Sequence, residues 1–68
     1  MENKFSTILK DLREEKGLSQ RDLAKKLKVS NVSVSNWEKD LKKPQYENIK
    51  VIAEYFGVSC DYLMENEN

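Results

Sequence analysis

The segment VSNVSVSNW, residues 29–37, is the longest run in this chain without a charged residue, although charged residues make up 35% of the sequence. The alternation of valine and serine over residues 32–35 is typical of a β-strand. A strand here would be isolated among helical segments, and isolated strands are unstable. As a helix capped by Ser30, the segment places Val34 and Trp37 on one face, where they can pack into a core. We therefore expect a helix whose other face presents Asn31, Val32, Ser35 and Asn36.

Four further segments have apolar residues at helical spacing. These residues are Phe5, Ile8, Leu9 and Leu12, then Leu23, Ala24 and Leu27, then Tyr46, Ile49, Ile52, Ala53 and Phe56, and finally Tyr62 and Leu63. Serines at positions 19, 30 and 59 precede three of the five expected helices and can cap them. Gly17 and Gly57 suit the left-handed position that follows a helix, and Pro44 interrupts the chain before the fourth helix. The sequence predicts an all-α fold, a compact five-helix bundle.

The composition is that of one small globular domain, which we expect to span residues 1–68 with the terminal ENEN frayed. No apolar run approaches the roughly 20 residues of a membrane span, and no signal-peptide pattern opens the chain. The lone cysteine, Cys60, excludes an internal disulfide and fits a reducing compartment. We expect a soluble cytoplasmic protein.

The charges are distributed unevenly, although the formal net charge is zero. Residues 1–20 are neutral, residues 21–43 carry seven basic and three acidic side chains, and residues 44–68 carry one lysine and five acids. The middle segment therefore has a net charge of +4 and the last segment a net charge of −4. A local excess of positive charge is typical of surfaces that bind polyanions. The charge distribution alone is explained equally well by solvated helix faces.

The connection between the second and third helices is only three residues long, KVS at residues 28–30, and so short a connection is typical of a helix-turn-helix. The segments LREEKGLSQRDLAKKLKVSNVSVSNWEKDLKKP (residues 12–44) and IAEYFGVSCDYLM (residues 52–64) resemble the lambdoid phage repressor and Cro family, also called the XRE family. The resemblance covers residues 8–64 and places the helix-turn-helix at residues 20–39. It implies a lambda-repressor-like DNA-binding domain of a transcription regulator, expected to be a repressor, which reads the major groove of double-stranded DNA with the helix at residues 31–38.

This resemblance implies that the outer face of the third helix contacts DNA bases through Asn31, Val32, Ser35 and Asn36. An asparagine amide can pair with N6 and N7 of adenine, and a valine can contact the methyl group of thymine. A charged side chain on this face would favour phosphates over bases, which gives a reason for the charge-free run. The alternative is an inert surface, but lysine or glutamate would stabilise an exposed helix face better than asparagine or valine.

The same resemblance implies phosphate contacts from one polar and four cationic side chains, Gln20, Arg21, Lys39, Lys42 and Lys43. Each cation would add affinity without sequence information. Gln20 is also expected to brace the start of the third helix near Asn31. The alternative for each of these residues is a solvated side chain with no partner in DNA.

Two further pairs of positions follow from the resemblance. Arg13 and Glu38 occupy positions that form an ion pair between the first and third helices of the family, and two separate surface charges are the alternative. Lys28 and Asp40 stand where the family usually has glycine. Because aspartate tolerates a left-handed backbone better than lysine does, we expect slight strain in these turns.

An enzyme is not expected, because the sequence has no histidine, one cysteine, no glycine-rich phosphate loop and no metal-ligand cluster. We expect no cofactor and no small-molecule ligand. The expected partner is a pseudo-palindromic operator in double-stranded DNA, bound by a homodimer that is weak without DNA and that meets through Cys60 and Tyr62. The alternative is a protein-binding module on the same fold, an antitoxin or an adaptor, whose contact surface is Tyr46, Tyr55, Cys60 and Tyr62.

Overall fold

The computed structural model describes residues 5–64, and the expected all-α architecture is confirmed in them. The helices are α1 (Phe5–Glu15), α2 (Gln20–Leu27), α3 (Asn31–Glu38), α4 (Tyr46–Phe56) and α5 (Cys60–Leu63). The segment that alternates like a strand is helix α3, because one of its faces packs into the core. The predicted fraying of residues 65–68 falls outside the described residues. None of the helices within residues 5–64 has the length and apolar content needed to cross a membrane.

Serine side chains cap the starts of α2, α3 and α5, as predicted. The amide of Asp22 donates to Ser19 Oγ at 3.0 Å, and the Asp22 carboxylate accepts from the amide of Ser19 at 3.3 Å, which completes a capping box. Ser30 Oγ accepts from the amide of Ser33 at 3.0 Å, and Ser59 caps α5 in the same way. Each cap satisfies an amide that the first helical turn leaves without a partner.

The core lies where the apolar faces of all five helices meet. Helix α3 packs against α1 and α2, helix α5 packs against α1 and α4, and α4 also contacts α2. The buried apolar residues are Phe5, Ile8, Leu9, Leu23, Ala24, Leu27, Val34, Trp37, Ile49, Ile52, Ala53 and Leu63. Tyr46 departs from the apolar stripe that helical spacing assigned to α4, since it is 63% exposed. It opens the helix beyond the edge of the core, and the Lys50 ammonium lies over its ring at 5.8 Å from the centroid.

Four residues between positions 5 and 64 have a positive φ, and each follows a helix: Gly17 (68°), Lys28 (61°), Asp40 (59°) and Gly57 (70°). Lys28 and Asp40 therefore adopt the left-handed conformation that glycine adopts most readily. For a residue with a Cβ atom this conformation costs about 1–2 kcal/mol, and aspartate reduces the cost through local hydrogen bonding. Of the two turns, the one between α2 and α3 is thus the more strained.

Candidate nucleic-acid interface

Helix α3 has a buried face and an exposed face, and the predicted base-contacting residues lie on the exposed face. Val32 is 66% exposed, and Asn31 beside it is exposed as well. Ser35 and Asn36, one turn later, are half-buried. This face therefore combines two amides and a hydroxyl, which can form hydrogen bonds, with one aliphatic side chain that can make an apolar contact.

The start of α3 is fixed by a pair of serines. The amide of Ser33 donates to Ser30 Oγ at 3.0 Å, and the two hydroxyl oxygens lie 2.9 Å apart, within hydrogen-bond distance. The hydroxyl of Ser33 is thus engaged at the cap. The side chains that the first turn presents away from the cap are Asn31 and Val32, and the cap fixes their backbone.

The end of α3 is held by an ion pair between Glu38 and Arg13. Arg13 Nε donates to Glu38 Oε2 at 2.6 Å, and Arg13 Nη2 donates to Glu38 Oε1 at 3.0 Å. The Arg13 side chain is 12% exposed and that of Glu38 is 3% exposed. Arg13 Nη1 also donates to the carbonyl oxygen of Leu18 at 2.7 Å, a contact that no sequence pattern indicated. One guanidinium therefore joins α1, the turn after it and the last residue of α3.

This ion pair also raises the pKa of the Arg13 guanidinium, because the hydrogen bond to Glu38 favours the charged form more than burial disfavours it. A cationic group whose pKa is raised by folding contributes stability that is fully present below its pKa in the unfolded chain. That stability is lost only as the pH rises through the higher value of the folded state. An arginine is charged at neutral pH with or without this shift, so the contribution of Arg13 to stability does not vary across the neutral range.

Gln20 does not brace the start of α3, so that expectation is wrong. Its Nε2 donates instead to Glu38 Oε1 at 3.0 Å, at the opposite end of α3 from Asn31. The physical reason is that Glu38 is a buried carboxylate whose oxygens can accept more bonds than Arg13 alone supplies. The link still ties the first residue of α2 to the last residue of α3, and so fixes the two helices of the motif relative to each other.

The predicted phosphate-contacting cations are all exposed. Arg21 lies in the first turn of α2, Lys39 follows α3, and Lys42 and Lys43 lie in the connection to α4. The anionic side chains Asp22 and Glu38 of the same region are used internally, in the α2 cap and in the ion pair. Asp40, the remaining acid of residues 21–43, is exposed as these cations are, so the exposed charges of this region are mainly but not entirely positive.

The predicted dimer residues differ in exposure. Tyr62 is 45% exposed, whereas Cys60 is half-buried and packs against the core. Tyr55, named for the alternative protein-binding surface, is half-buried as well. Its ring meets Phe56 edge-on at 5.0 Å between centroids and lies beneath the Lys16 ammonium at 5.3 Å. Of the two predicted dimer residues, both on α5, Tyr62 is the more exposed and therefore offers the larger contact surface.

The profile of the HTH_3 helix-turn-helix family matches residues 9–63. This chain belongs to that family. The helix-turn-helix protein is 38% identical over 63 residues to the HTH-type transcriptional activator BcrR of Enterococcus faecalis, an alignment that spans 93% of this chain and 31% of BcrR. It is 32% identical over 62 residues to the cryptic phage CTXphi transcriptional repressor RstR of Vibrio cholerae, spanning 91% of this chain and 56% of RstR. The chain thus spans about a third to a little over half of these relatives.

Among solved structures, the helix-turn-helix protein resembles the P22 c2 repressor in complex with a synthetic operator. The TM-score is 0.85 at 29% sequence identity, and the superposition covers 91% of this chain and 94% of the repressor chain. The resemblance to the lambdoid repressor family and the five-helix fold predicted from apolar spacing are both confirmed. These relatives are transcription regulators rather than enzymes, which agrees with the expectation that the chain has no catalytic function.

Proposed function

We propose that this protein is a sequence-specific double-stranded DNA-binding transcription regulator that inserts α3 into the major groove. The observation that carries the proposal is the exposed face of α3, which has no charged side chain although more than a third of the residues in the chain are charged. An α-helix fits the major groove, where each base pair presents a distinct pattern of donors, acceptors and methyl groups. The amides of Asn31 and Asn36, the hydroxyl of Ser35 and the exposed Val32 can read that pattern.

Cations beside this face support the same proposal. Arg21, Lys39, Lys42 and Lys43 are exposed around a helix that itself carries no exposed charge. Phosphate contacts supply most of the affinity of such proteins and fix their register, whereas base contacts supply the sequence preference. Gln20 is expected to add a phosphate contact, since its amide retains an acceptor oxygen and a second donor hydrogen beyond the bond to Glu38.

We further propose that the protein binds a pseudo-palindromic operator as a homodimer. One recognition helix reads only a few base pairs, which is too little to specify a site among the competing sites of a genome. Two helices related by a two-fold axis read two half-sites about 34 Å apart. Tyr62, with the neighbouring Cys60, is the surface that we assign to the contact between copies. The contact is weak without DNA and forms mainly on the operator.

We propose that the protein is cytoplasmic. The regulatory effect that we propose is repression of transcription. RstR is named a repressor, and the P22 c2 repressor has been solved on an operator. BcrR is named an activator, so the sign of regulation needs its own measurement. A reporter gene placed downstream of the operator should fall in expression when the protein is supplied. A rise in expression would contradict repression and leave DNA binding intact.

The experiment that tests DNA binding is selection of binding sites from a library of random duplexes. The expected result is enrichment of one pseudo-palindromic sequence, bound with an affinity that falls steeply as salt increases. A variant with both Asn31→Ala and Asn36→Ala is the matched control, and it should enrich no sequence at the same positions. Failure to enrich any duplex, together with the absence of salt-dependent binding, would favour the protein-binding alternative.

A further inference from the structure

Four helix ends within residues 5–64 share one backbone geometry. At each end a left-handed residue donates its amide to the carbonyl three positions earlier, and the next residue donates to the carbonyl five positions earlier. At the end of α3, Asp40 donates to Trp37 at 3.2 Å and Leu41 donates to Asn36 at 2.9 Å. This arrangement is a Schellman motif, in which the residue after the left-handed one often makes an apolar contact with the last turns of its own helix.

The residue after the left-handed one is aliphatic at all four ends, and it is Leu18, Val29, Leu41 or Val58. Leu18, Val29 and Val58 are partly buried and pack against the core. Leu41 is 68% exposed, the highest value among the large hydrophobic residues in the described part of the chain. The same local geometry thus buries three of these side chains and leaves the fourth in solvent.

The reason lies in the sequence of α3. The residues that would contact Leu41 in a Schellman motif are Asn36 and the residue before it, Ser35. Both are polar, and both belong to the exposed face that we assign to base reading. The motif therefore places an uncovered aliphatic side chain beside the face that is expected to enter the major groove.

We propose that Leu41 is an apolar contact to double-stranded DNA, which packs against deoxyribose rings of one strand at the edge of the groove that α3 enters. The inference rests on the proposed function. Lys42 directly follows Leu41 and Lys39 lies two residues before it, and both are exposed cations suited to phosphates, whereas the residue between Lys39 and Leu41 is the acidic Asp40. Phosphates and sugars alternate along a DNA strand, so an aliphatic side chain between two cations is complementary to that alternation.

A second copy of this chain fits Leu41 less well. Residues 39–43 carry three lysines and the acidic Asp40, a net charge of +2, and a symmetric contact through this loop would bring that charge against the same charge of the other copy. Like charges brought together in this way oppose association. Duplex DNA covers the leucine and neutralises the lysines with one surface.

The test compares Leu41→Ala, Leu41→Asn and Leu41→Met with the wild type on a selected operator and on an unrelated duplex of equal length, and the comparison is repeated on a half-site of the operator. Removing the apolar contact should weaken binding of Leu41→Ala and Leu41→Asn to both duplexes by roughly three- to tenfold. Sugar contacts carry no sequence information, so the ratio of the two affinities should stay the same. The dependence of affinity on salt should also be unchanged, since no charge is altered. Leu41→Met should bind like the wild type.

Val51→Ala is the matched control, because Val51 is 42% exposed on α4 and should contribute nothing to DNA affinity. Circular dichroism and thermal unfolding should show that all the variants fold, since Leu41 lies outside the core. Nuclear Overhauser effects between the Leu41 methyl groups and deoxyribose protons give an independent readout in the complex of the wild type.

Three results would overturn the inference, and they differ in what they say of the proposed function. If the wild type binds no duplex, the proposed function and this contact both fail. If the wild type binds but Leu41→Ala and Leu41→Asn match its affinity, only the contact with Leu41 fails. If the loss is confined to full operators and half-sites are bound as before, Leu41 serves the contact between copies and not the one with DNA.

Discussion

The carboxylate of Glu38 lies 2.6 Å from Nε of Arg13, and this contact connects the end of α3 to α1 across a separation of 25 residues. The exposed face of α3 can read bases only if the helix keeps a fixed angle to the rest of the domain. Val34 and Trp37 anchor the buried face of the helix in the core, and Ser30 caps its start. Glu38 anchors its end through the ion pair with Arg13. Neither Arg13 nor Glu38 needs to touch DNA in order to affect its recognition.

Replacing Arg13 with methionine should destabilise the domain by about 3–5 kcal/mol, because it leaves the Glu38 carboxylate buried without its cation. In a domain this small, a loss of that size removes most of the folding stability. Urea unfolding monitored by circular dichroism measures the change. The double variant Arg13→Met with Glu38→Leu should be more stable than Arg13→Met alone, since the uncompensated charge is gone.

Glu14 supplies the control for this prediction. Its carboxylate lies 4.0 Å from Arg13 Nη2, but its side chain is 57% exposed. An exposed pair of this kind contributes little, so Glu14→Gln should change stability by less than about 0.5 kcal/mol. Equal effects of Arg13→Met and Glu14→Gln would mean that the buried ion pair is dispensable.

Lys28→Gly should stabilise the domain by about 0.5–1 kcal/mol. The substitution removes the steric cost of a left-handed lysine, and the greater flexibility of glycine in the unfolded chain offsets part of the gain. Lys26→Gly is the matched control, because it places glycine at an exposed position within α2 and should cost about 1 kcal/mol. Midpoints of thermal unfolding measure both changes. A loss of stability in Lys28→Gly would show that the lysine side chain contributes more than its backbone conformation costs.

The fold could be predicted from the sequence because its signals are local. Apolar spacing identified the helices, and serine caps and glycines gave their ends. The left-handed conformations of Lys28 and Asp40 were expected only through the family resemblance, since neither residue type signals a positive φ. Tyr46 shows the limit of the spacing argument, because a helical stripe does not reveal where the core ends.

The candidate site was less predictable, because long-range partners decide it. The charge-free face of α3 is visible in the sequence, but the donation from Gln20 to Glu38 depends on how α2 and α3 cross. The exposure of Leu41 is likewise visible only in the folded structure. It becomes notable when the four helix ends with the same backbone geometry are compared. An aliphatic residue after a helix normally indicates burial, so the sequence alone gave no reason to single it out.

Replacing Asn31 or Asn36 with alanine should cost about 1–3 kcal/mol of binding to the selected operator and relax the base preference at the position that each reads. The backbone carbonyl of Asn36 that accepts from Leu41 is unaffected by the change, so the end of α3 should keep its geometry. Asn48→Ala on α4 is the matched control and should leave the base preference unchanged. If both α3 variants selected the same sequence as the wild type, α3 would not be the recognition helix.

Replacing Lys39, Lys42 or Lys43 with glutamine should weaken binding to all duplexes to a similar extent. Each cation that contacts a phosphate releases a counterion from DNA, so its loss should lower the slope of log affinity against log salt by about one unit. The ratio of the affinities for operator and unrelated DNA should equal that of the wild type. Lys50→Gln on α4 is the control, since that lysine lies over the Tyr46 ring. If a variant keeps the salt slope of the wild type, the lysine that it replaces does not contact a phosphate.

Replacing Tyr62 with aspartate should weaken binding to a full operator and spare binding to a half-site. Tyr62 is 45% exposed on α5, and a tyrosine at a symmetric contact supplies apolar area while its hydroxyl can reach water. An aspartate there places two like charges against each other across the two-fold axis. Val51→Asp, which adds the same charge on α4, separates repulsion between copies from a general effect of negative charge on DNA binding. Because we propose that the pair forms mainly on DNA, the comparison uses titration of both duplexes together with analytical ultracentrifugation of the complexes. Binding of one wild-type copy to either duplex with equal affinity, unchanged in the variant, would show that the protein reads DNA as a monomer.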